Sequence, residues 1–234
     1  VVRRASCVVT THDARRTLYR SAVPALDLPA ALAHLRDADP VMRAVVHAVG
    51  PCTFAPRADG THFEAVARAI VYQQLSGKAA GTIHRRFHAL YGGRAPEPEE
   101  LLATSDDALR AAGLSRQKIG YLRDLAARVA SGDVPLAHVE TLEDHAAIAA
   151  LSRVKGIGRW TAQIFLMFRL GRPDVLPELD LGVQRGAQLA YGLERLATPR
   201  ELMALGEAWA PWRTIASWYL WRFVDETNGG QLGD

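Results

Sequence analysis

Two glycines one residue apart, in the segment LSRVKGIGRWTAQ at residues 151–163, constrain this chain more than any other feature. They lie between two stretches that read as helices. Glycine adopts backbone conformations closed to other residues and lets the chain approach a ligand closely. The spacing therefore predicts a tight hairpin, after which a new helix starts with its first amide N–H groups open. Such an end attracts an anion. A bare turn between helices uses the same spacing, so the surroundings have to decide. The glycine fingerprint of dinucleotide sites needs a preceding strand and wider spacing, and neither is present.

The rest of the chain also reads as helix after helix. Apolar residues recur at helical spacing over 28–36 and 40–49, with Gly50–Pro51 as the stop. Thr61 and Glu64 form a capping-box pattern for a helix to about 75. Further helices are expected over 77–91, 106–112 (capped by Ser105), 116–130 (capped by Ser115), 142–151 (capped by Thr141) and 159–170. Three more follow at about 181–190, 199–208 and 212–227. Pro96 and Pro98 read as a short loop. Val8–Val9 is a short strand or nothing, and residues 1–20 carry little pattern. No alternation long enough for a useful strand appears. The expectation is an all-α, two-lobed protein. Residues 61–170 form a central lobe, and residues 1–60 pack with a C-terminal segment, 171–234.

Composition bounds the function classes. With 49% hydrophobic and 23% charged residues over 234 positions, the chain has the make-up of an ordinary globular protein. No apolar run approaches the length of a membrane span, and no secretory signal is apparent, so a cytoplasmic location is expected. Cys7 and Cys52 make neither a disulfide framework nor a metal cluster. The eight histidines show no metal-binding spacing. A net charge of +3 permits a nucleic-acid partner without requiring one. The only lysines, Lys78, Lys118 and Lys155, each adjoin a glycine or small-residue motif.

Asp180 follows the hairpin within PELDLG. An aspartate before an apolar helix is a common N-cap. A carboxylate there is also kept ionised and fixed in direction by the helix dipole. The two roles are compatible, and the second suits a group that faces a developing positive charge. Such a charge forms on a sugar when an N-glycosidic bond breaks, as in sugar hydrolysis generally.

Taken together, the VKGIGRWTAQ hairpin, the Pro-containing loop and Asp180 resemble the helix-hairpin-helix, Gly/Pro-rich-loop, Asp DNA glycosylases. IVYQQLSGKAA (70–80) and GLSRQKIGYLRDLA (113–126) resemble segments of its 3-methyladenine DNA glycosylase II (AlkA-like) branch. The resemblance covers roughly residues 61–225. It implies a cleft between two helical lobes and excision of a flipped-out damaged base from double-stranded DNA. Alkylated purines are the expected substrates, Asp180 the catalytic carboxylate, and a monomer the working form. Backbone N–H groups of Gly156 and Gly158, with Lys155 and Arg159, are the expected phosphate contacts. Lys155 stands where the family often has proline. Trp160 stands where bifunctional members carry a nucleophilic lysine, which implies hydrolysis without lyase chemistry. No four-cysteine cluster follows Asp180, so no iron–sulfur cluster is expected, and no other cofactor is implied. The first sixty residues are too few and too irregular for the N-terminal β-rich domain of bacterial AlkA proteins.

For the base pocket the candidates are Trp160, Trp221, Tyr72 and Trp218, with Tyr219 also considered. Trp160 and Trp221 match pocket aromatics of the branch, while Ile164 replaces one. Their faces suit a cationic alkylated base. Core packing is the competing reading, strongest for Trp209, Trp212 and Trp218 and even-handed for Tyr72. The family places a minor-groove wedge near 114–118, making Leu114, Arg116 and Gln117 the candidates for filling the vacated stack. A structural monovalent cation on the main-chain carbonyls of Ser152, Val154 and Ile157 is implied by the resemblance. Two other functions stay open, namely a non-catalytic helix-hairpin-helix DNA-binding module and a glycosylase for another lesion class.

Overall fold

A computed structural model describes residues 26–57 and 59–227, and Val8–Val9, Cys7 and the segment 1–20 lie outside these. Among the described residues every regular element is helical. No helix among them is long and apolar enough to cross a membrane. The chain runs α1 (Leu28–Ala38), α2 (Pro40–Val49), α3 (His62–Tyr72), α4 (Gly77–Ala89), α5 (Pro98–Ala103), α6 (Asp106–Ala111) and α7 (Arg116–Ala130). A 3-10 turn at Leu136–Thr141 precedes α8 (Asp144–Leu151) and α9 (Arg159–Phe168). The last three are α10 (Leu181–Tyr191), α11 (Pro199–Leu205) and α12 (Arg213–Thr227).

The caps explain most of these starts. Thr61, Ser105 and Ser115 accept the backbone N–H three residues on, as their side chains are suited to do. Two local expectations are corrected. Pro98 opens α5 instead of sitting in a loop, because proline fits the first helical position and Glu97 and Glu100 close a capping box around it. Thr141 does not cap α8. Its hydroxyl donates back to the His138 carbonyl and ends the 3-10 turn, leaving Glu143 as the N-cap.

Two hydrophobic cores make the two lobes. The first gathers α3 to α9, with Ile70, Phe87, Leu101, Leu122, Leu125 and Leu166 fully buried. The second joins α1 and α2 to α10–α12, around Leu35, Met42, Trp209 and Tyr219. Asp39 is buried in this second core and N-caps α2 through Val41 (2.8 Å) and Met42 (3.2 Å). Its other oxygen accepts the Trp209 indole N–H at 3.0 Å and the Tyr191 hydroxyl, so this one carboxylate ties α2 to the C-terminal helices. Burial alone would raise its pKa, but these donors outweigh burial and hold it below the usual range. Phe168 and Trp221 touch both cores and stack with ring centroids 5.8 Å apart.

The chain crosses between lobes at 54–63 and again at 175–176. Arg169, 5% exposed, fastens the first crossing. Its guanidinium donates to the carbonyls of Arg57 (2.9 Å), Asp59 (2.6 Å) and Gly60 (2.6 Å) and to His62 Nδ1 (3.0 Å). The Arg57 amide returns a bond to the Phe168 carbonyl at 2.7 Å.

Candidate active site

The hairpin folds as its glycines require. Gly156 has φ +82°, and a Cβ there would lie 2.2 Å from the Tyr121 ring, so both backbone and space demand glycine. Its carbonyl accepts the Gln73 side-chain amide at 2.8 Å, which locks the hairpin to the end of α3. Gly158 is the N-cap of α9 and has no side-chain cap. Nothing lies within 4 Å of its hypothetical Cβ. The first-turn amides of α9 therefore face open space beside exposed Lys155, the geometry an anion needs. The Lys155 amide itself is taken by Asp124 Oδ2 at 2.8 Å, so its contribution to an anion site is its ammonium group. Of the carbonyls assigned to a monovalent cation, that of Val154 also accepts the Ile157 amide at 3.0 Å.

Asp180 sits at the junction of loop and helix. It N-caps α10, with Oδ1 accepting Val183 N–H at 2.9 Å. Two indoles complete its shell. Trp221 Nε1 donates to Oδ1 at 2.8 Å and Trp160 Nε1 to Oδ2 at 2.7 Å. Three donors thus aim one carboxylate. Trp160 and Trp221 meet on the carboxylate, which the sequence did not announce; of the two only Trp160 is among the residues lining a cavity, so Trp221, expected to hold the base, here holds Asp180. Leu179 (48% exposed) and Leu181 (69%) flank it as bare apolar side chains.

Beneath lies a support that the sequence did not announce. Glu178 is buried and accepts Arg159 Nε at 2.6 Å and Gln163 Nε2 at 2.7 Å. Burial disfavours its charge, yet these hydrogen bonds hold its carboxyl below the usual glutamate range. Gln163 also donates to the Leu176 carbonyl, and Gln184 to that of Glu178. Arg159, expected on phosphate, is engaged here and pins the loop to the first turn of α9. Two glycines finish the packing. A Cβ on Gly182 would come within 2.8 Å of the Trp221 ring and 3.0 Å of Asp180 Oδ1, and one on Gly186 within 2.5 Å of the Leu220 carbonyl oxygen. The Gly-x-x-x-Gly spacing on α10 was the available signal for close helix approach.

A cavity of about 610 Å³ opens beside Trp160, walled by Arg68, Tyr72, Gln73, Lys118, Tyr121 and Ile164 among others. A second, of about 330 Å³, shares Arg68, Ala69, Thr161 and Ile164 as a common wall. Tyr72 lines the first cavity, but one face of its ring is covered by the Arg68 guanidinium, 4.1 Å from the centroid.

Two placements correct the sequence expectations. Trp218 is not among the residues lining either cavity. It is 7% exposed in the second core, edge-on to Tyr219 at 4.9 Å, because it falls on the face of α12 turned toward that core. Leu114 is 4% exposed in the first core, so it cannot enter a groove from this position. Arg116 and Gln117 are exposed, and Gln117 donates to the Tyr121 hydroxyl at 2.6 Å. Gln74, which lines the larger cavity and is held at φ 56°, is exposed beside Leu75, 39% exposed, on the α3–α4 turn. An Asp, Asn or Gly is the usual tenant of that left-handed region, so a glutamine there marks a forced turn.

The protein comparisons fall on the same stretch. Residues 67–211 match the HhH-GPD superfamily of base excision DNA repair proteins. The chain is 38% identical over 162 residues to DNA-3-methyladenine glycosylase 1 of Schizosaccharomyces pombe, covering 68% of this chain and 71% of that one. The solved structure of the S. pombe 3-methyladenine DNA glycosylase Mag1 with abasic DNA superposes with TM-score 0.72 at 35% identity, over 82% of this chain and 95% of the other. The DNA-3-methyladenine glycosidase of Bacillus halodurans superposes with TM-score 0.78 at 36% identity, over 87% and 93%. The matched residues contain the open hairpin, the braced loop and the carboxylate, and the chain belongs to the HhH-GPD superfamily of base excision DNA repair proteins.

Proposed function

We propose that this protein is a monofunctional DNA glycosylase that hydrolyses the N-glycosidic bond of alkylated purines in duplex DNA. The observation that carries the reading is the Asp180 carboxylate, aimed by two indole N–H groups beside a cavity of about 610 Å³. The names of the S. pombe and B. halodurans relatives support the substrate class. Once the base is extruded, the C1′–N bond breaks and its electron pair leaves with the base. The sugar becomes cationic, and Asp180 faces that charge. Water bonds to C1′ and loses a proton, giving an abasic sugar and a free base. A base alkylated to a cation departs neutral, so a paired acid is not required for it. The test is release of 7-methylguanine and 3-methyladenine from duplexes carrying each lesion. Release of neither defeats the reading.

Position 160 carries an indole bonded to the carboxylate instead of an amine, which supports hydrolysis without a Schiff base to the sugar. The product is expected to be an intact abasic strand, with activity insensitive to EDTA. Borohydride trapping of a covalent protein–DNA adduct would contradict this.

The exposed Lys155 and the open α9 amides read as a phosphate site. Lys155→Ala is expected to weaken binding to all duplexes alike and to lower the slope of log affinity against log salt by about one unit. A loss confined to one lesion would place Lys155 in base recognition instead. The carbonyls of Ser152, Val154 and Ile157 are the groups that hold a structural monovalent cation in this reading.

A further inference from the structure

The larger cavity has an unexpected charge. Arg68 and Lys118 line it and no carboxylate does. Lys118 is partly spent, donating to the Val71 carbonyl at 2.6 Å, and burial lowers its pKa. Arg68 is different. It lies flat on Tyr72 at 4.1 Å, makes no ion pair with a carboxylate among the described residues, and borders both cavities. Its field is felt nearby, since burial, His88 and Arg68 together push His84 down to about 4. A guanidinium carries five N–H donors in a fixed plane and no acceptor. Stacked in a cavity wall, that plane is matched to the acceptor edge of a purine and repels a base that is already cationic.

We propose that Arg68 is a specificity-determining residue that receives the acceptor edge of an extruded neutral purine and stabilises the negative charge the base takes on leaving. The inference rests on the glycosylase reading above. When a neutral purine leaves, the C1′–N9 bond breaks and its electron pair makes the base an anion, spread over its ring nitrogens and any six-position oxygen. Water bonds to the sugar C1′, and the proton it loses neutralises that anion by way of solvent. Fixed donors aimed at such developing charge contribute most in a site closed to water. A cationic base departs neutral, so for it Arg68 adds repulsion before the reaction and nothing after.

The test compares single-turnover release of hypoxanthine, a neutral base, with release of 7-methylguanine, a cationic one, in the full chain and in Arg68→Gln. The expected result is a fall on the order of 10²-fold in the ratio of hypoxanthine release to 7-methylguanine release. Arg68→Lys keeps the charge and loses the fork, so it is expected to recover part of the hypoxanthine rate. Thermal melting confirms that each variant is folded. Equal losses on both bases overturn the proposal and make Arg68 a prop for Tyr72. Release of 7-methylguanine without hypoxanthine by the unsubstituted protein overturns it while leaving the alkylpurine reading intact. Release of neither removes that reading and this one together.

Discussion

Asp180→Asn is expected to abolish base excision while DNA binding stays near normal. The amide is neutral and cannot stabilise a sugar cation. Loss of a fixed electrostatic partner in a transition state costs on the order of 10²–10³-fold or more. The cap survives, because the Asn carbonyl can still accept Val183 N–H. The shell does not survive intact. Asp180 accepts one indole on each oxygen, and Asn offers only one acceptor oxygen. Whichever way the amide turns, its NH₂ meets an indole N–H, and one of the two donors loses its partner. Trp160, 42% exposed, can turn to water more easily than Trp221. The measurement is single-turnover excision alongside affinity for an abasic duplex. Turnover near that of the unsubstituted protein would remove Asp180 from the chemistry.

Gly186→Ala is expected to destabilise the fold. In most helices glycine to alanine adds about 0.5–1 kcal/mol of stability through propensity. Here the new Cβ falls 2.5 Å from the Leu220 carbonyl oxygen, which is backbone and cannot rotate away. Helices α10 and α12 have to part, and overpacking of that kind costs about 1–3 kcal/mol. The clash wins, and each kcal/mol lowers Tm by about 2–4 °C in a chain of this size. Gly120→Ala on α7 is the control, since nothing lies within 4 Å of its Cβ position. There the propensity gain is expected to show as a raised Tm. Thermal unfolding of both variants checks the pair, and a Gly186→Ala protein as stable as the parent would mean the helices slide apart at little cost.

The sequence disclosed whatever is encoded locally. Thr61, Ser105, Ser115 and Asp180 cap helices because a short polar side chain reaches its own next turn. The hairpin glycines announce a backbone shape that few residues can take. What stayed hidden depends on partners far along the chain. Glu178 carries no local signal, and its role comes from Gln163 and Arg159 closing on it from α9. Leu114 and Leu75 are alike as letters, and only packing makes the first buried and the second exposed. Trp218 and Trp221 sit one helical turn apart on α12, yet the turn decides that one enters the core and the other meets Asp180. Helix α5 escaped because prolines in a short window read as loop, although Pro98 is the residue that starts it.

The Arg169 knot has a mechanical consequence. It binds the outgoing crossing at 57–62 next to the point where the chain turns back toward the second lobe. The return passage is held separately, where Thr214 Oγ1 accepts the Val175 N–H at 3.1 Å, and Phe168 and Trp221 stack where the two cores meet. A hinge tied in this way resists widening to admit a straight duplex. In the glycosylase reading, the strain of bringing a nucleotide to Asp180 then falls on the DNA, whose bending by 40–90° costs on the order of 1–6 kcal/mol. On the same reading, a lesion that has already weakened its own stacking lowers that toll, and a protein tied in this way is expected to favour damaged sites over sound ones.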